Sequence, residues 1–322
     1  SCPSCSSWFQ KVRPKSAKFT LFTFLERLEK AMLTAKQGDT LGICASSGKF
    51  DPQSLNKGIK VLESMGFNVF VPQKIFERKK YLAGDDDLRA GVINSLFSDP
   101  DIKGIICARG GYGALRVLNR LDWNIIRQNP KPFVGYSDIT ALLTAIVNET
   151  GIPVIHGPNV VSLANADQDT LDSFFMALTG AQASMSVAEC RIIRPGTADG
   201  MLTGGNLATL SHLMGTGFQA DFNNAVLFFE DIGEPLYKID RMLTQMKLAG
   251  LFDNIRGLIT GTFRNCDHDA RIEELLEEIF DEYQIPILSG LAAGHGRTNL
   301  SLVFGKTVRM DTIKAGIEWL PN

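Results

Sequence analysis

The sequence predicts an α/β protein whose parallel β-sheet is covered by helices on both faces. Short apolar runs of strand length alternate along the chain with segments in which apolar residues recur at the period of a helix. This alternation is typical of βαβ units, whose strands are parallel. At about 150 residues per domain, a chain of this length suggests two domains, each with its own core.

The first half of the chain carries the clearest alternation. Leu55, Ile59, Leu62 and Met65 mark the apolar face of its first helix. The predicted strands are 40–45, 66–71, 104–108, 133–134 and 151–156, and the predicted helices are 51–65, 86–97, 114–121, 141–147 and 167–178. Ligands of parallel sheets collect at the carboxyl ends of the strands, so a site is expected in the loops there.

The second half begins with a change of pattern. Periodicity is lost beyond residue 180, and we interpret 181–203 as a linker between a domain at 38–180 and a domain at 204–322. The predicted helices of the second domain are 207–214, 237–249 and 269–283, and its predicted strands are 225–229, 257–261, 285–288 and 301–304.

Residues 1–37 differ in character from the rest and are interpreted as an N-terminal extension or the remnant of a targeting segment. The CxxC motif of Cys2 and Cys5 has no second pair beside it, so neither a zinc site nor a redox role is favoured. Residues 19–33 are compatible with an amphipathic helix, although charged residues interrupt its apolar part. No stretch reaches the roughly 20 uncharged residues that a membrane span needs.

Charge and cysteine content narrow the class of partner. The 33 basic and 35 acidic residues give a net charge of −2 and are mixed along the chain. This balance excludes a basic surface for nucleic acid or membranes and favours a small molecule or another protein as partner. Cys44, Cys107 and Cys190 lie in or beside apolar runs without the spacing of a disulfide framework, which fits a reducing cytoplasm. We expect neither a metal nor another cofactor.

A candidate nucleophile stands where a predicted strand turns into a predicted helix. Ser137 follows the apolar run that ends at Val134 and precedes the helix that begins at Ala141. A sharp turn of this kind exposes the side chain at the bend and directs the first free N–H groups of the helix to the same point. The simpler interpretation is that Ser137 or Asp138 caps the helix, since both residue types are common N-caps.

A glycine-rich loop, 109–113, follows the neighbouring predicted strand. Its glycines allow backbone N–H groups to approach a bound anion, whether an oxyanion, a carboxylate or a phosphate. Turn geometry alone explains such glycines equally well. If the loop binds a nucleotide or phosphate, the protein is a binding module and not an enzyme.

A nucleophilic serine needs a base, and the chain offers four histidines. His295 lies between two glycines in a loop that presents its ring to a neighbouring site, although a surface or structural role is equally open. Glu230 directly follows the apolar strand 225–229 and is the best candidate for a carboxylate that orients the imidazole. Its alternative role is in an acidic loop or in the cap of the next helix.

Five motifs occur together and in order, namely ARGGYG (108–113), GYSDIT (135–140), GGNL (204–207), FFEDIGE (228–234) and GHGRTNL (294–300). In this combination the chain resembles the LD-carboxypeptidases, or muramoyltetrapeptide carboxypeptidases, a serine peptidase family that also includes microcin C immunity peptidases. The resemblance extends over nearly all of the chain from residue 38, and YLAG at 81–84 is similar to that family too.

The resemblance implies a division of the site between two domains. A Rossmann-like N-terminal domain would carry the nucleophile Ser137, and a smaller mixed α/β C-terminal domain would carry the general base His295 and its orienting partner Glu230. The backbone N–H groups of Gly111 and Asp138 would form the oxyanion hole.

The resemblance also implies a substrate. The family removes the terminal D-alanine of murein tetrapeptides at an L,D bond during cell-wall recycling. Arg109 and Arg297 are candidates for binding the free carboxylate through paired hydrogen bonds, and Asn206 is a further substrate-binding candidate. A cytoplasmic, homodimeric serine carboxypeptidase is expected. Two other functions stay open: a microcin C-type immunity peptidase that cleaves peptidyl-nucleotide amide bonds, and a non-catalytic protein that binds murein peptides or nucleotides.

Overall fold

The computed structural model describes residues 33–321. The CxxC motif of Cys2 and Cys5, all of the predicted helix 19–33 except its last residue, and most of the extension 1–37 lie outside the described residues. The described part contains two β-sheets with helices packed against them, which confirms the predicted α/β class with a parallel first sheet and a mixed second sheet.

Strands and helices alternate through most of residues 33–321. The strands are β1 (Thr40–Cys44), β2 (Asn68–Phe70), β3 (Ile102–Cys107), β4 (Phe133–Gly135), β5 (Val154–His156), β6 (Ser184–Ser186), β7 (Arg191–Arg194), β8 (Thr197–Asn206), β9 (Ala225–Ile232), β10 (Gly257–Arg264), β11 (Ile287–Ser289), β12 (Leu302–Phe304), β13 (Thr307–Asp311) and β14 (Gly316–Trp319). The α-helices are α1 (Pro52–Ser64), α2 (Asp86–Ser98), α3 (Trp123–Gln128), α4 (Thr140–Thr150), α5 (Val160–Leu163), α6 (Gln168–Thr179), α7 (Leu207–Leu213), α8 (Leu236–Leu248) and α9 (Asp269–Phe280). Short 3₁₀ helices are Gln73–Phe76, Ala114–Arg120, Ser137–Ile139 and Asp281–Tyr283.

The first sheet has the strand order β12-β5-β4-β3-β1-β2. The first five strands of the chain run parallel, because a helical crossover separates each from the next in sequence. β12 pairs antiparallel with β5 at the edge. The carboxyl ends of β1, β3 and β4 therefore lie side by side, and the loops that follow them meet there.

The second sheet has the order β6-β14-β13-β8-β9-β10-β11-β7. Its centre, β8 to β11, is parallel, and antiparallel strands flank it on both sides. The central strand β9 is almost entirely buried, because helices cover it and its residues up to Phe229 are apolar.

Two parts of the chain differ from the sequence-based expectation. Residues 181–203, which we expected to lack regular structure, contain β6, β7 and most of β8. β6 and β7 are short, largely exposed strands at the edges of the sheet, so their sequences have no apolar alternation to reveal them. The late strand β12 was expected in the second domain but joins the first sheet. The domain boundaries themselves stay a prediction.

The two sheets come together beside the predicted site. His156, the last residue of β5, contacts the ring of Phe228 on β9 with ring centroids 5.1 Å apart. The backbone N–H of Asn206, at the end of β8, donates a hydrogen bond of 3.0 Å to Oγ1 of Thr140 at the start of α4. Residues from both sheets thus meet at the carboxyl ends of their parallel strands.

Candidate active site

Ser137 lies at the bend between β4 and α4. Phe133 and Val134 of β4 are fully buried, and the chain turns through the 3₁₀ helix Ser137–Ile139 into α4. Ser137 has a φ of 66°, in the left-handed region. This conformation costs a non-glycine residue about 1–2 kcal/mol, and residues strained in this way concentrate at functional sites. The strand, the turn and the helix are those that the sequence predicts.

The glycine-rich loop after β3 lies against Ser137. A Cβ atom on Gly110 would lie 3.0 Å from Cβ of Ser137 and 3.2 Å from its Oγ. The carbonyl of Gly110 accepts a hydrogen bond of 3.1 Å from the N–H of Gly48, in the loop after β1. Gly111 has a φ of 110°, a conformation that favours glycine. Glycine at position 110 therefore allows the loop backbone to approach the serine side chain.

The side chain of Asp138 joins the three loops that surround the serine. Its Oδ2 accepts hydrogen bonds from Oγ of Ser47 (2.6 Å) and from the backbone N–H of Ala114 (2.8 Å). Burial raises the pKa of this carboxyl, and both hydrogen bonds act in the opposite direction. The side chain thus holds the loops after β1 and β3 against the turn that carries Ser137.

Glu230 and His295 form a hydrogen-bonded pair. Oε2 of Glu230 lies 2.6 Å from Nδ1 of His295 and also accepts the backbone N–H of His295 at 3.2 Å. The Glu230 side chain is fully buried, whereas 13% of the His295 side chain is exposed. Gly294 is essential to this approach, because a Cβ there would lie 2.5 Å from Oε2 of Glu230. A buried carboxylate on Nδ1 directs Nε2 of the ring away from Glu230.

Tyr136 connects the serine turn to the histidine loop. Its ring centroid lies 5.0 Å from that of His295, and its hydroxyl lies 3.1 Å from Oγ of Ser162. Because Tyr136 directly precedes Ser137, this contact brings the loop of His295 to the turn of the predicted nucleophile. The structure therefore places four of the predicted elements in one region: the serine turn, the glycine-rich loop, Glu230 and His295.

Two protein-family profiles match the chain. The sequence profile of the LD-carboxypeptidase N-terminal domain matches residues 41–157, and that of the LD-carboxypeptidase C-terminal domain matches residues 199–310. The chain belongs to the LD-carboxypeptidase family. The first matched segment contains the serine turn, and the second contains the Glu230 and His295 pair.

Individual members of the LD-carboxypeptidase family are similar over most of their length. A probable murein peptide carboxypeptidase of Bacillus subtilis is 34% identical over 87% of this chain and 93% of its own. The murein tetrapeptide carboxypeptidase of Pseudomonas aeruginosa is 31% identical over 80% of this chain and 88% of its own. The structure of MccF in complex with glutamyl sulfamoyl guanosine has a TM-score of 0.84 at 27% identity, and covers 90% of this chain and 98% of MccF. Membership supports a hydrolase with carboxypeptidase or MccF-like activity and leaves its substrate open.

The predicted substrate-binding residues occupy different settings. Arg109 and Arg297 are exposed, and Nη1 of Arg109 donates a hydrogen bond of 2.6 Å to the carbonyl of Lys49. Asn206 is buried and its amide is used within the protein. Its Oδ1 accepts the N–H of Thr209 and so caps α7, and its Nδ2 donates to Asp231 at 2.9 Å. These contacts make Asn206 a link between β8 and β9.

Sequence reasoning missed several residues around this site. Arg264 donates from Nη1 to the backbone carbonyl of His295 at 3.2 Å, and it ends β10. Its place at the carboxyl end of a parallel strand is the signal that could have found it. The structural roles of Asp138 and Tyr136 depend on contacts far along the chain. The sequence also gives no sign of the setting of His156, which is buried and whose ring nitrogens have no hydrogen-bond partner within residues 33–321.

Within residues 33–321, no group of three or more histidine, cysteine, aspartate or glutamate side chains is arranged to hold a metal ion. In the same part of the chain, no helix combines the length and the hydropathy of a membrane span.

Proposed function

We propose that the protein is a serine-type LD-carboxypeptidase in which Ser137 is the nucleophile, His295 the general base and Glu230 the carboxylate that orients the base. The observation that carries this proposal is the 2.6 Å contact between Nδ1 of His295 and the buried Oε2 of Glu230. This contact favours the tautomer in which Nε2 is free to accept a proton. The contact between Tyr136 and His295 supports the placement of Ser137 beside that base.

The proposed reaction has two halves. Oγ of Ser137 attacks the carbonyl carbon of the terminal peptide bond, and its proton passes to Nε2 of His295. The C–N bond breaks as the imidazolium gives this proton to the leaving amine, which departs as the terminal amino acid. A water molecule then attacks the acyl-enzyme with the same base and restores the serine. The charge of Glu230 stabilises the imidazolium in both halves.

Backbone N–H groups would stabilise the tetrahedral intermediates. We assign this role to Gly111, in the glycine-rich loop, and to Asp138, which follows the nucleophile. The close approach of the loop to Ser137 supports the assignment, because donors must lie within about 3 Å of the developing oxyanion. The hydrogen bonds that Asp138 accepts from Ser47 and Ala114 would keep both donors fixed during the reaction.

The proposed substrate is a murein tetrapeptide, cleaved at the L,D bond to its terminal D-alanine. Relatives named for murein peptides in two bacteria support this choice. A guanidinium group binds a terminal carboxylate through paired hydrogen bonds, and we assign this role to Arg109 and Arg297. We assign Asn206 as a further substrate-binding residue. Arg264 is a further candidate. Both Arg264 and Arg109 lie close to the site: Arg264 donates to the carbonyl of His295 at 3.2 Å, and Arg109 directly precedes Gly110, which lies against Ser137.

An immunity peptidase that cleaves peptidyl-nucleotide amide bonds is the second candidate. The fold likeness to MccF bound to glutamyl sulfamoyl guanosine favours it. So does an aromatic pair formed by Tyr112 of the glycine-rich loop and Tyr81. Each is 52% exposed, and their ring centroids lie 5.6 Å apart. Stacking of a base on an aromatic ring is worth about 1–3 kcal/mol, and this pair offers such a surface. The third candidate function is that of a non-catalytic protein that binds murein peptides or nucleotides.

The proposal includes the compartment, oligomeric state and domain boundaries expected from the sequence. The enzyme would act in the cytoplasm as a homodimer, and each chain would have domains at 38–180 and 204–322. The buried thiols of Cys44 and Cys107 agree with a reducing compartment. Analytical ultracentrifugation of the purified chain would test the dimer.

One assay separates the candidates. Purified protein is incubated with a murein tetrapeptide and, separately, with a peptidyl-adenylate analogue, and the products are identified by mass spectrometry. The proposal expects release of D-alanine from the tetrapeptide, lost in Ser137→Ala and unaffected by chelators. Cleavage of the adenylate alone would favour the immunity peptidase. Binding of either compound without turnover would identify the non-catalytic protein.

A further inference from the structure

A second histidine lies buried beside the Glu230 and His295 pair. His156 is inaccessible to solvent, and neither of its ring nitrogens has a hydrogen-bond partner in the described part of the chain. Its ring contacts those of Phe228, Phe304 and Tyr136, with centroid distances of 5.1, 5.4 and 6.2 Å. A buried polar group without a hydrogen bond lowers the stability of the folded state by about 1–3 kcal/mol. Phenylalanine would fill this position without that cost, so the presence of histidine points to a role for its nitrogens.

Glu230 has a matching unpartnered atom. Its Oε2 accepts both hydrogen bonds from His295, whereas Oε1 is buried and has no hydrogen-bond partner among residues 33–321. Glu230 follows Phe228 by two positions on β9, and alternate residues of a strand leave the sheet on the same face. The ring that contacts Phe228 is therefore on the side of the sheet to which the Glu230 carboxylate points.

Another buried polar atom without a hydrogen-bond partner among residues 33–321 lies near His156. It is Oδ1 of Asn159, which lies 3.1 Å from the Cβ position of Gly135. Gly135 pairs with His156 in the parallel sheet, so both positions face the same side. Clusters of this kind are the usual sites of buried water, which makes about three hydrogen bonds to such groups.

We propose that His156 is a positioning residue for the triad, and that its neutral ring donates an N–H to a buried water that in turn donates to Oε1 of Glu230. The inference rests on the proposed function, because it assigns His156 a role through the carboxylate of that triad. With both oxygens engaged, the Glu230 carboxylate is fixed in its plane and Oε2 stays on Nδ1 of His295.

The surroundings keep the ring of His156 neutral. Burial lowers its pKa to about 4, the charge of Glu230 acts against this, and His295 acts with it. The titratable groups that face it are Glu230 on β9, His295 in the loop after β11 and Tyr136 after β4. A neutral imidazole is both donor and acceptor, so it can complete a network without adding a second positive charge beside His295.

The test compares two variants with a matched control. His156→Phe keeps an aromatic ring and removes both nitrogens, whereas His156→Gln keeps an N–H donor. Phe304→Leu disturbs packing against the same ring without removing a polar group. For each, kcat/KM is measured against pH on whichever substrate the wild type hydrolyses, alongside the melting temperature.

The inference expects kcat/KM of His156→Phe to fall about 10–100-fold, as for other residues that orient a reacting group through a second one. The acid limb of its kcat/KM profile should move to higher pH by about half to one pH unit. The reason is that loss of a hydrogen-bond donor to the carboxylate raises the pKa at which the Glu230 and His295 pair takes up a proton. His156→Gln should keep the wild-type limb. Phe304→Leu should lower the melting temperature and leave the limb in place.

Two results would overturn the role of His156 but leave the proposed function intact. One is an acid limb in His156→Phe that overlays that of an active wild type, and the other is an equal displacement in Phe304→Leu. Nitrogen NMR of the wild-type histidines gives an independent reading: a neutral His156 ring at about pH 6 supports the inference, and a charged one refutes it. A wild type that hydrolyses neither substrate refutes the proposed function, and the role of His156 with it.

Discussion

Nδ1 of His295 lies 2.6 Å from Oε2 of Glu230, although 65 positions separate the two residues in the sequence. β9 supplies the carboxylate, and the loop after β11 supplies the imidazole. The same oxygen accepts the backbone N–H of His295, so the loop is fixed to the carboxylate as well as the ring. The ring orientation is thereby set by the second sheet before any ligand binds.

Removal of the charge of Glu230 should lower the activity without lowering the stability of the fold. Glu230→Gln keeps the shape of the side chain but loses the charge that stabilises an imidazolium, so we expect kcat to fall about 10²–10⁴-fold. The folded state should be at least as stable, because the Glu230 carboxylate is fully buried and its charge carries a cost of desolvation. Steady-state kinetics and thermal unfolding measure the two effects. Activity within a few-fold of wild type would remove Glu230 from its proposed role.

A methyl group at position 294 should break the same contact. In Gly294→Ala the new Cβ would lie 2.5 Å from Oε2 and 2.8 Å from Cδ of Glu230, at a φ of 101°. We expect a loss of about 1–3 kcal/mol in the free energy of unfolding, from backbone strain and overpacking, and a large loss of kcat from displacement of the carboxylate.

Gly290→Ala is the matched control for this substitution. Gly290 has a φ of 85°, and a Cβ there would meet nothing within 4 Å. The control therefore carries the backbone strain without the clash, and it should lose stability while keeping most of the activity. Equal activity in the two variants would mean that the Glu230 carboxylate tolerates displacement.

The sequence predicted those parts of the site that adjacent residues encode, and it missed those that depend on contacts between distant residues. The serine turn is encoded by adjacent residues, a buried strand, Gly135 and a helix, so its geometry was predicted from residues 133–147. Glu230 was found because it directly follows the apolar run 225–229, although β9 itself continues to Ile232. The sequence around His156 is that of an ordinary core histidine. What sets it apart is the apolar packing of its ring against Phe228 of β9 and Phe304 of β12, which lie far along the chain. The edge strands β6 and β7 were missed because they are only three and four residues long and show no apolar alternation.

A buried arginine supports the loops of the site and should make stability depend on pH. Nη1 of Arg89 donates to the carbonyls of Ser46 and Gly113, in the loops after β1 and β3, and its Nη2 lies 2.5 Å from Oδ1 of Asp86. Asp86 also accepts hydrogen bonds from Arg116. The bonds from Arg116, with those from Arg89, lower the pKa of Asp86 from 3.8 to about 2.

Because the pKa of Asp86 is lower in the folded than in the unfolded state, its contribution to stability is present above about pH 4 and is lost as the pH falls towards 2. The carboxylate is 16% exposed, and solvent screening reduces this contribution to about 1 kcal/mol. Between pH 6 and about pH 2.5, the free energy of unfolding of the wild type should fall by about 1 kcal/mol more than that of Asp86→Asn. Urea titrations at both pH values measure this difference. Asp87→Asn, at a side chain that is 86% exposed, should follow the wild type. If Asp86→Asn loses as much stability as the wild type over this range, the link from Asp86 through Arg89 to the loops of the site does not control acid stability.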